Sequence, residues 1–338
     1  MSMKRKLLPS LAFLSICIMA GCGQNSGYLI TPVPLNQRLE ETTIQKDPGL
    51  LVYDKIVIVD VDGLLMNVQE HSLFGYGENP VSLFVEKIDK AQADPDVKAV
   101  IIRINSPGGG VTASDIMYHR LVQFRQARQV PVVAIVEDVG ASGGYYVACG
   151  SDRIMAHPTA ITGSIGVIVQ MVSLADTMKM VGVETKAVTS GKFKSMGSPF
   201  KPLEKDDVVL VQGLVNDYYE SFLKVVQSGR PKLSADKIRT LADGRVYSGK
   251  QALDNGLVDQ LGYMSDSISQ AKTMSGSSKV KVVIYHRPIG YKANAYSEAP
   301  VPSPAAATQI NMVNISVPEL MEFSRPQFLY LWSGQASH

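Results

Sequence analysis

Apolar residues in the middle of the chain alternate between continuous short runs and wider, helix-like spacings. Residues 56–61 form an almost unbroken apolar run, which is typical of a strand buried on both faces. The apolar residues of 81–88 recur at helical spacing, and a second strand is predicted over 97–104. This alternation predicts an α/β fold of stacked β-α units with parallel strands.

The same alternation continues to about residue 262. Further helices are predicted at 112–127, after Ser142, and at 204–226, 234–242 and 248–255. Further strands are predicted at 132–136, 152–156, 185–189 and 280–285. The folded domain is accordingly expected to cover residues 55–275, followed by a C-terminal strand and flexible tail at 276–338 with a Pro- and Ala-rich stretch over 297–308.

The N-terminal segment has the pattern of an export signal. Basic residues at 4–6 precede an apolar run over 7–20, and small residues stand just before Cys22. This pattern predicts a signal peptide over 1–21, because the run is shorter than the roughly 20 apolar residues that span a bilayer. Residues 18–22 also resemble the bacterial lipobox, so Cys22 is the predicted lipidation site and membrane anchor.

Residues 22–54 are polar and contain several prolines, as expected of a tether between a lipid anchor and a folded domain. The apolar residues of the last thirty positions leave two possibilities open, docking on a neighbouring copy or on a membrane surface. Residues beyond Ala299 could also enter a neighbouring active site and be clipped there. The sequence does not choose among these roles for the tail.

Composition excludes several classes of function. The 338 residues are 45% hydrophobic, enough for a sizeable core, and the net charge of +2 lacks the basic face that nucleic acid demands. Cys17 lies in the predicted signal peptide, which leaves Cys149 without a disulfide partner after processing. No nucleic-acid partner, no metal site and no organic cofactor are predicted.

Two glycine-rich turns carry the candidate chemistry. Ser142, within 140–144, follows a predicted strand and begins a helix. Its hydroxyl and the first N–H groups of the helix can therefore point toward the same atom of a substrate. A serine in this position is most often a helix N-cap. The second turn, at 105–110, adds an N–H donor from a separate loop, and two such donors make an oxyanion hole. The pair of turns therefore indicates acyl-transfer chemistry.

A serine nucleophile needs a base, and the residues themselves leave several candidates. The pattern at 140–144 matches the nucleophile elbow of α/β-hydrolases, for which His286 has the right chain order and His157 is a further histidine. Lysine can replace histidine where desolvation lowers its pKa and leaves a neutral amine. Lys192 and Lys194 both lie in the loop that follows the predicted strand at 185–189. Composition and spacing do not select one of these bases.

Five motifs between residues 55 and 262 occur in a recognisable order. They are INSPGGGV at 104–111, ASGGYY at 141–146, TGSIGV at 162–167, the loop 190–194, and DGRVY at 243–247. In this order they closely resemble the signal peptide peptidase A family of membrane-associated Ser/Lys proteases, which is related in fold to the Clp protease and crotonase superfamily. The resemblance implies a Clp protease/crotonase-like fold and a Ser/Lys peptidase domain over residues 55–275.

The resemblance also implies a role for each matching residue. Ser142 corresponds to the nucleophile and Lys194 to the general base. Ser164 corresponds to the serine that hydrogen-bonds and orients the lysine amine. The backbone N–H groups of Gly109 and Gly143 correspond to the oxyanion-hole donors. Lys192 falls one place off the family pattern, so it is expected to be a bystander.

Members of this family form rings or domes, and half-length members can draw the serine and the lysine from adjacent subunits. This chain has one set of motifs and resembles the half-length type, so a homo-oligomer with shared active sites is expected. The expected function is that of a membrane-anchored serine endopeptidase of the cell envelope, acting outside the cytoplasm on signal peptides or other short apolar peptides. The alternatives are a catalytically silent multimeric peptide-binding scaffold and an esterase that uses His286.

Overall fold

The computed structural model describes residues 38–68, 71–72, 75–76, 78–288 and 327–332. The predicted signal peptide, the lipidation site Cys22 and the Pro- and Ala-rich stretch at 297–308 lie outside these residues. Within them, no helix is both long enough and apolar enough to cross a bilayer.

Helices and strands alternate through most of the described chain. The strands are β1 Glu40–Lys46, β2 Lys55–Leu65, β3 His71–Ser72, β4 Gly75–Tyr76, β5 Val97–Gly110, β6 Val132–Ala141, β7 Arg153–Ala156, β8 Ile161–Gly163, β9 Ile168–Val169, β10 Val246–Ser248, β11 Gln260–Leu261, β12 Lys281–His286 and β13 Phe328–Leu331. The helices are α1 Pro80–Ala93, α2 Val111–Arg128, α3 Gly143–Ala148, α4 Ala175–Met180, α5 Lys205–Gly229, α6 Ala235–Leu241, α7 Gly249–Asp254 and α8 Met264–Ser275.

One large sheet organises the fold. Its strand order is β1-β12-β2-β5-β6-β7-β11, and every neighbouring pair from β12 to β11 is parallel. The short strands β8, β9, β10 and β13 attach beside this path. The predicted α/β class with mostly parallel strands is confirmed. Because parallel strands end at a common edge, the loops that follow β5 and β6 meet there.

The core lies on both faces of this sheet. On one face, α1 and α2 pack residues such as Phe84, Leu121 and Phe124 against the strands. On the other face, α8 packs Met264 and Ile268 against strand residues of β2, β5, β6 and β12. The strands are therefore covered on both sides, which explains why their sequences are continuous apolar runs rather than alternating ones.

A buried ionic cluster joins β2, β5 and α1. Asp60 lies opposite Arg103 in the strand pairing, with Arg103 Nη2 2.6 Å and Lys87 Nζ 3.1 Å from its carboxylate oxygens. Burial acts to raise the pKa of Asp60, but the charges of Lys87 and Arg103 and their hydrogen bonds outweigh it and hold the pKa below its ordinary value. The cluster thus keeps a buried carboxylate ionised between two cations.

The structure differs from the sequence-based prediction in three places. β1, at Glu40–Lys46, is an antiparallel edge strand on β12, although the sequence predicts a tether over 22–54. Residues 185–189 form no strand, because that segment is exposed and pairs with no other strand of the described chain. β13, in the predicted flexible tail, joins the sheet. The two added strands depend on pairing partners that are distant in sequence, and the missing strand has no such partner in the described chain.

Candidate active site

Ser142 and Ser164 leave two paired strands at the same edge of the sheet. β6 ends at Ala141 and β8 ends at Gly163, and these two residues lie opposite each other in a parallel pair. The backbone N–H of Ser142 donates to the carbonyl of Gly163 at 2.7 Å. The two serines that follow are therefore neighbours, as expected if one is to support the chemistry of the other.

Both serines have backbone conformations that side chains rarely adopt. The φ angle is 52° at Ser142 and 48° at Ser164, each of which costs about 1 to 3 kcal/mol and persists only where the surroundings enforce it. The sheet enforces the second, because β10 pairs with β8 and the carbonyl of Arg245 accepts the N–H of Ser164 at 2.8 Å. The strain turns both serines out of their strands.

The hydroxyl of Ser142 is buried and has no hydrogen-bond partner among the described residues. A buried hydroxyl without a partner is uncommon and calls for an explanation. As the residue before α3, Ser142 could have capped that helix, but its side chain makes no cap hydrogen bond. The arrangement leaves the hydroxyl available to react, and the structural role of an N-cap does not account for it.

The two glycine turns approach each other so closely that side chains are excluded. A Cβ atom on Gly108, whose φ is +102°, would lie 2.6 Å from the backbone nitrogen of Gly143. A Cβ atom on Gly109 would lie 2.2 Å from the carbonyl oxygen of Leu65, and one on Gly143 would lie 2.4 Å from Ser114 Oγ. The backbone at the glycine-rich end of β5 therefore lies against the first residue of α3, which follows Ser142.

The C-terminal strand β13 fills the cleft between the glycine turn of β5 and the short strand β9. Its residues pair antiparallel with both strands: Leu329 with Gly110 and Ile168, Tyr330 with Gly109, Leu331 with Gly108, and Phe328 with Val169. The N–H of Trp332 also donates to the carbonyl of Pro107 at 2.9 Å. An extended segment of the chain therefore occupies the position that a peptide would take by strand addition.

The carbonyl oxygen of Tyr330 points at the converging glycines. It lies 2.0 Å from the position of a Cβ on Gly108 and 3.1 Å from that of a Cβ on Gly143. In an antiparallel ladder, every second pair of opposite residues is joined by two backbone hydrogen bonds. The hydrogen bond from Trp332 to Pro107 shows that these two residues form such a pair. The pair of Tyr330 and Gly109, two positions along the strand, is therefore also hydrogen-bonded. A peptide carbonyl is held at the two turns from which oxyanion-hole donors were predicted.

Beside Ser164 the site opens into a cavity of about 450 Å³. Ser164, Gln212 and Asn216 line one side of it, and Leu331 and Trp332 of the C-terminal strand line another. No lysine lines this cavity. The space lies beside the serine that was predicted to orient a lysine amine.

The two candidate lysines differ in their surroundings. Lys192 forms an ion pair with Asp206 at 2.5 Å, and the hydrogen bond in this pair raises the pKa of Lys192. Lys194 is exposed and its amine has no hydrogen bond or ion pair within the described residues. Lys194 also makes no hydrogen bond to Ser142, whose hydroxyl is unpartnered. A single copy of the chain therefore does not bring the predicted base to the predicted nucleophile.

Neither histidine considered as a base contacts Ser142. His286 stands at the end of β12, with Nε2 2.7 Å from Thr42 Oγ1 and Nδ1 2.5 Å from the carbonyl oxygen of Arg287. The Nδ1 atom of His157 lies 2.7 Å from Thr159 Oγ1. Both rings are occupied by local partners, so the esterase alternative has no base at Ser142.

Other reactive groups do not form a second centre in the described part of the chain. No group of three or more His, Cys, Asp or Glu side chains there could hold a metal ion. Burial raises the pKa of the Cys149 thiol to about 12, which keeps it protonated and inert at neutral pH. Sequence reasoning did not name Tyr330, although it noted the apolar residues of the tail and the possibility that the tail enters an active site. The short continuous apolar run at 328–332 was the available signal for a strand.

Comparison with known proteins identifies the family. The model of peptidase family S49 matches residues 124–278. A candidate signal peptide peptidase of Enterococcus faecium is 35% identical over 232 residues, covering 68% of this chain and 67% of that protein. Protease 4 of Haemophilus influenzae is 32% identical over 223 residues, and the chloroplastic serine protease SPPA of Arabidopsis thaliana is 32% identical over 239 residues. These alignments cover 66% and 70% of this chain and 35% of each relative.

The match and the sheet topology together confirm the Clp protease/crotonase-like fold that the motifs implied. The relatives are named as proteases, and the strained, unpartnered serine described above suits a nucleophile. The chain therefore belongs to the signal peptide peptidase A family, peptidase family S49, and is a serine endopeptidase.

Proposed function

We propose that this chain is a membrane-anchored endopeptidase of the cell envelope that uses Ser142 and Lys194 to cleave signal peptides or other short apolar peptides. The observation that carries the proposal is the hydroxyl of Ser142, buried, unpartnered and turned out of its strand beside two glycine turns. Structural serines do not need this conformation, whereas a nucleophile benefits from it.

In the proposed reaction the neutral amine of Lys194 takes the proton of Ser142 as Oγ bonds to the substrate carbonyl carbon. The carbonyl electron pair moves onto its oxygen, which accepts hydrogen bonds from the N–H groups of Gly109 and Gly143. Cleavage of the C–N bond then releases the amine, which takes the proton back from Lys194 and leaves an ester on Ser142. Water attacks this ester by the same route and restores the free serine.

Lys194 would come from a second copy of the chain. Its loop precedes the N-terminal half of α5, which exposes a group of large apolar side chains that suits an interface between copies: Val208, Val209, Leu210 and Leu214. Ser164 and the adjoining cavity would receive the incoming amine and orient it. The salt-bridged Lys192 is the bystander in this scheme.

The proposed location of the enzyme is inferred from its N-terminal sequence. An export signal over 1–21 and lipidation of Cys22 would hold the enzyme at a membrane surface outside the cytoplasm, where cleaved signal peptides remain. The acylated terminus would hold each copy at the membrane surface, and an assembly with several such termini would be held more firmly. This location favours apolar, membrane-derived peptides as substrates. The scaffold alternative keeps the assembly and the cleft but predicts no turnover.

The test is cleavage of a leader-like peptide by the full chain and three variants. Ser142→Ala and Lys194→Ala are expected to lose at least about a thousandfold in kcat/KM, since each removes a participant in the chemical step. Lys192→Ala is the matched control and should retain wild-type activity, because Lys192 is also exposed and lies in the same loop. Equal activity in Ser142→Ala and wild type would refute the proposal.

Mixing the two inactive variants tests the shared site. In co-assembled Ser142→Ala and Lys194→Ala copies, activity should return to about one quarter of wild type, because each interface draws its serine and its lysine from independent copies. Recovery in the mixture cannot occur if both residues act within one chain. No recovery in a verified mixed assembly would contradict the arrangement across two copies.

A further inference from the structure

We infer that Asp207, in the first turn of α5, is a positioning residue for the proposed base Lys194. Asp207 holds Lys201, and Lys201 in turn fixes the segment that carries Lys194, residues 190–201, which we call the lysine loop. For the role of Lys194 the inference rests on the proposed function. For the attachment of the loop it rests on the contacts of Asp207 and Lys201.

Asp207 is buried, although it lies in the exposed first turn of a helix. Its side chain is 2% exposed, whereas that of the preceding Asp206 is 60% exposed. Lys201 Nζ lies 2.6 Å from Asp207 Oδ2, and beyond this ion pair neither carboxylate oxygen has a hydrogen-bond partner among the described residues. The helix dipole favours both aspartates and does not require either to be buried. Lys201 is therefore the specific partner of Asp207.

Lys201 is the point at which the lysine loop is attached to its surroundings. Its carbonyl oxygen accepts a hydrogen bond from Ser173 Oγ at 2.7 Å, and the carbonyl of Pro199 accepts the N–H of Leu174, also at 2.7 Å. Residues 173–174 lie in a segment that is itself mostly exposed. The ion pair to Asp207 adds an attachment to α5, whose later turns are packed in the core. Asp207 thus links the lysine loop to the core.

A series of tight turns connects Lys201 to Lys194. Several N–H groups of the lysine loop donate to the carbonyl three residues earlier, at distances of 3.0 to 3.5 Å. The donors are residues 194, 196, 198 and 201. Turns closed by such bonds restrict the backbone between the two lysines. A displacement at Lys201 is therefore expected to move Lys194.

The position of Lys194 needs this support because the amine has to act on another copy of the chain. General-base catalysis requires the amine within hydrogen-bond distance of the hydroxyl of Ser142. Lys194 is exposed and has no ion pair in its own copy that would hold it. Misplacement by about 1 Å can lower a rate by about a hundredfold. The exposed pair of Lys192 and Asp206 contributes little and does not replace the buried attachment.

The arrangement across two copies allows Asp207 to be changed in one copy at a time. In the mixed assembly described above, the Ser142→Ala chain supplies the lysine and the Lys194→Ala chain supplies the serine. Asp207→Asn in the lysine-supplying chain should lower the recovered kcat by about tenfold to a hundredfold, because it displaces the base. KM should stay the same, because the cleft belongs to the other chain. Asp207→Asn in the serine-supplying chain should leave the recovered activity unchanged.

Asp206→Asn in the lysine-supplying chain is the matched control. It removes the same charge from the same helical turn, but its side chain is exposed, so the recovered kcat should change by no more than about twofold. Equal losses from Asp207→Asn in either chain would indicate general damage to α5 and would overturn the inference. The absence of a loss in both chains would overturn it as well.

A second measurement does not depend on turnover. In the full-length Ser142→Ala chain, Asp207→Asn should raise the amide hydrogen-exchange rates of residues 194, 196 and 198 by at least about tenfold, because the lysine loop loses its link to α5. Asp206→Asn should leave these rates unchanged. Unchanged rates in Asp207→Asn would overturn the inference whatever the activity assay gives. Faster exchange in a chain whose mixed assembly recovers no activity, even with Asp207 intact, would instead count against the proposed function and leave the attachment of the loop in place.

Discussion

At the scale of single residues, the site depends on backbone conformations that most amino acids avoid. Gly108 has a φ of +102°, and the two serines that follow β6 and β8 have φ angles near +50°. Each serine is held in this conformation by a backbone hydrogen bond, Ser142 to Gly163 of β8 and Ser164 to Arg245, the residue before β10. At Gly108 no side chain is tolerated, because the space that a Cβ would fill holds the carbonyl of the bound strand.

Gly108→Ala is therefore expected to lower kcat/KM by at least about a hundredfold, because pushing the substrate carbonyl away from the donors at Gly109 and Gly143 costs at least as much as losing one of them. The added methyl would lie 2.0 Å from the carbonyl oxygen of the bound strand and would displace the substrate from the glycine turns. Steady-state kinetics on a leader-like peptide provide the measurement.

The matched control for this substitution is Gly276→Ala. Gly276 also has a positive φ, +69°, but nothing lies within 4 Å of its would-be Cβ. That variant should lose about 1 to 2 kcal/mol of stability from backbone strain and keep its activity. A similar loss of activity in both variants would mean that strain, and not obstruction of the cleft, is the cause.

At the scale of elements, β5 connects the core to the site. Its first half lies in the middle of the parallel sheet, where Arg103 is paired with Asp60 of β2 and Lys87 of α1 supports the same carboxylate. Its last residues form the glycine turn against which β13 lies. The buried cluster thus fixes the register of the strand whose end carries the site, because a shift of one residue would separate the charges.

Asp60→Asn is expected to lower the free energy of unfolding by about 3 to 5 kcal/mol, since it leaves two buried cations without their counter-charge. The pKa of Asp60 is lowered in the folded state, so its contribution is present above the unfolded pKa of about 3.9 and is lost as the pH falls through the folded value. Denaturant titrations at several pH values should show a smaller acid destabilisation in the variant.

Asp254→Asn is the control at the same scale. Asp254 forms an exposed pair with Lys250 on α7, and such pairs contribute little. Its unfolding free energy should change by less than about 1 kcal/mol. Equal losses in the two variants would argue against a special role for the buried cluster.

At the scale of the whole molecule, sequence-distant segments meet at one site. Tyr330, near the C-terminus, is held by Tyr218 of α5 and Tyr146 of α3. The proposed base, Lys194, would be supplied by a neighbouring copy. The predicted anchor at Cys22 would place this assembly against a membrane. The enzyme would then hold a peptide from its own tail in the cleft until a substrate displaces it.

Intact mass spectrometry of the membrane-extracted protein examines both ends of the chain in one measurement. If the tail is cut where it lies, the wild-type chain should end at Tyr330, and Ser142→Ala should keep its full C-terminus. Both proteins should begin at an acylated Cys22. Cys22→Ser should lose the acyl mass without changing the tail.

The two outcomes are independent of each other. An intact C-terminus in the wild type would refute cleavage of the tail, and an unmodified N-terminus would refute lipidation. Neither result would alter the assignment to the protease family, which depends on the match of residues 124–278 and on the relatives.

Local pattern was sufficient to predict the scaffold and the two glycine turns. Apolar patterns in the sequence predicted β2, β5 and α1, from the runs at 56–61 and 97–104 and the helical spacing at 81–88. A strand buried on both faces is apolar at every position, and a helix buried along one stripe is apolar at every third or fourth position. The glycine turns were equally visible, since close backbone approach admits no other residue. Ser142, Ser164 and Lys194 were selected by motifs whose order the sequence also carries.

Tertiary structure alone decided which of these residues meet. β1 and β13 have short sequences that become strands only through distant partners, β12 for one and β5 with β9 for the other. Tyr330 and Tyr218 are separated by 112 positions in the chain, so no local period could have indicated their hydrogen bond. The separation of Lys194 from Ser142 within one copy was expected from the family resemblance and not from any local period in the sequence. The sequence by itself determined the local conformations and which groups are available to react. Long-range pairing alone determined how the site is assembled, because the contacts of the site join segments that are close in space and remote along the chain.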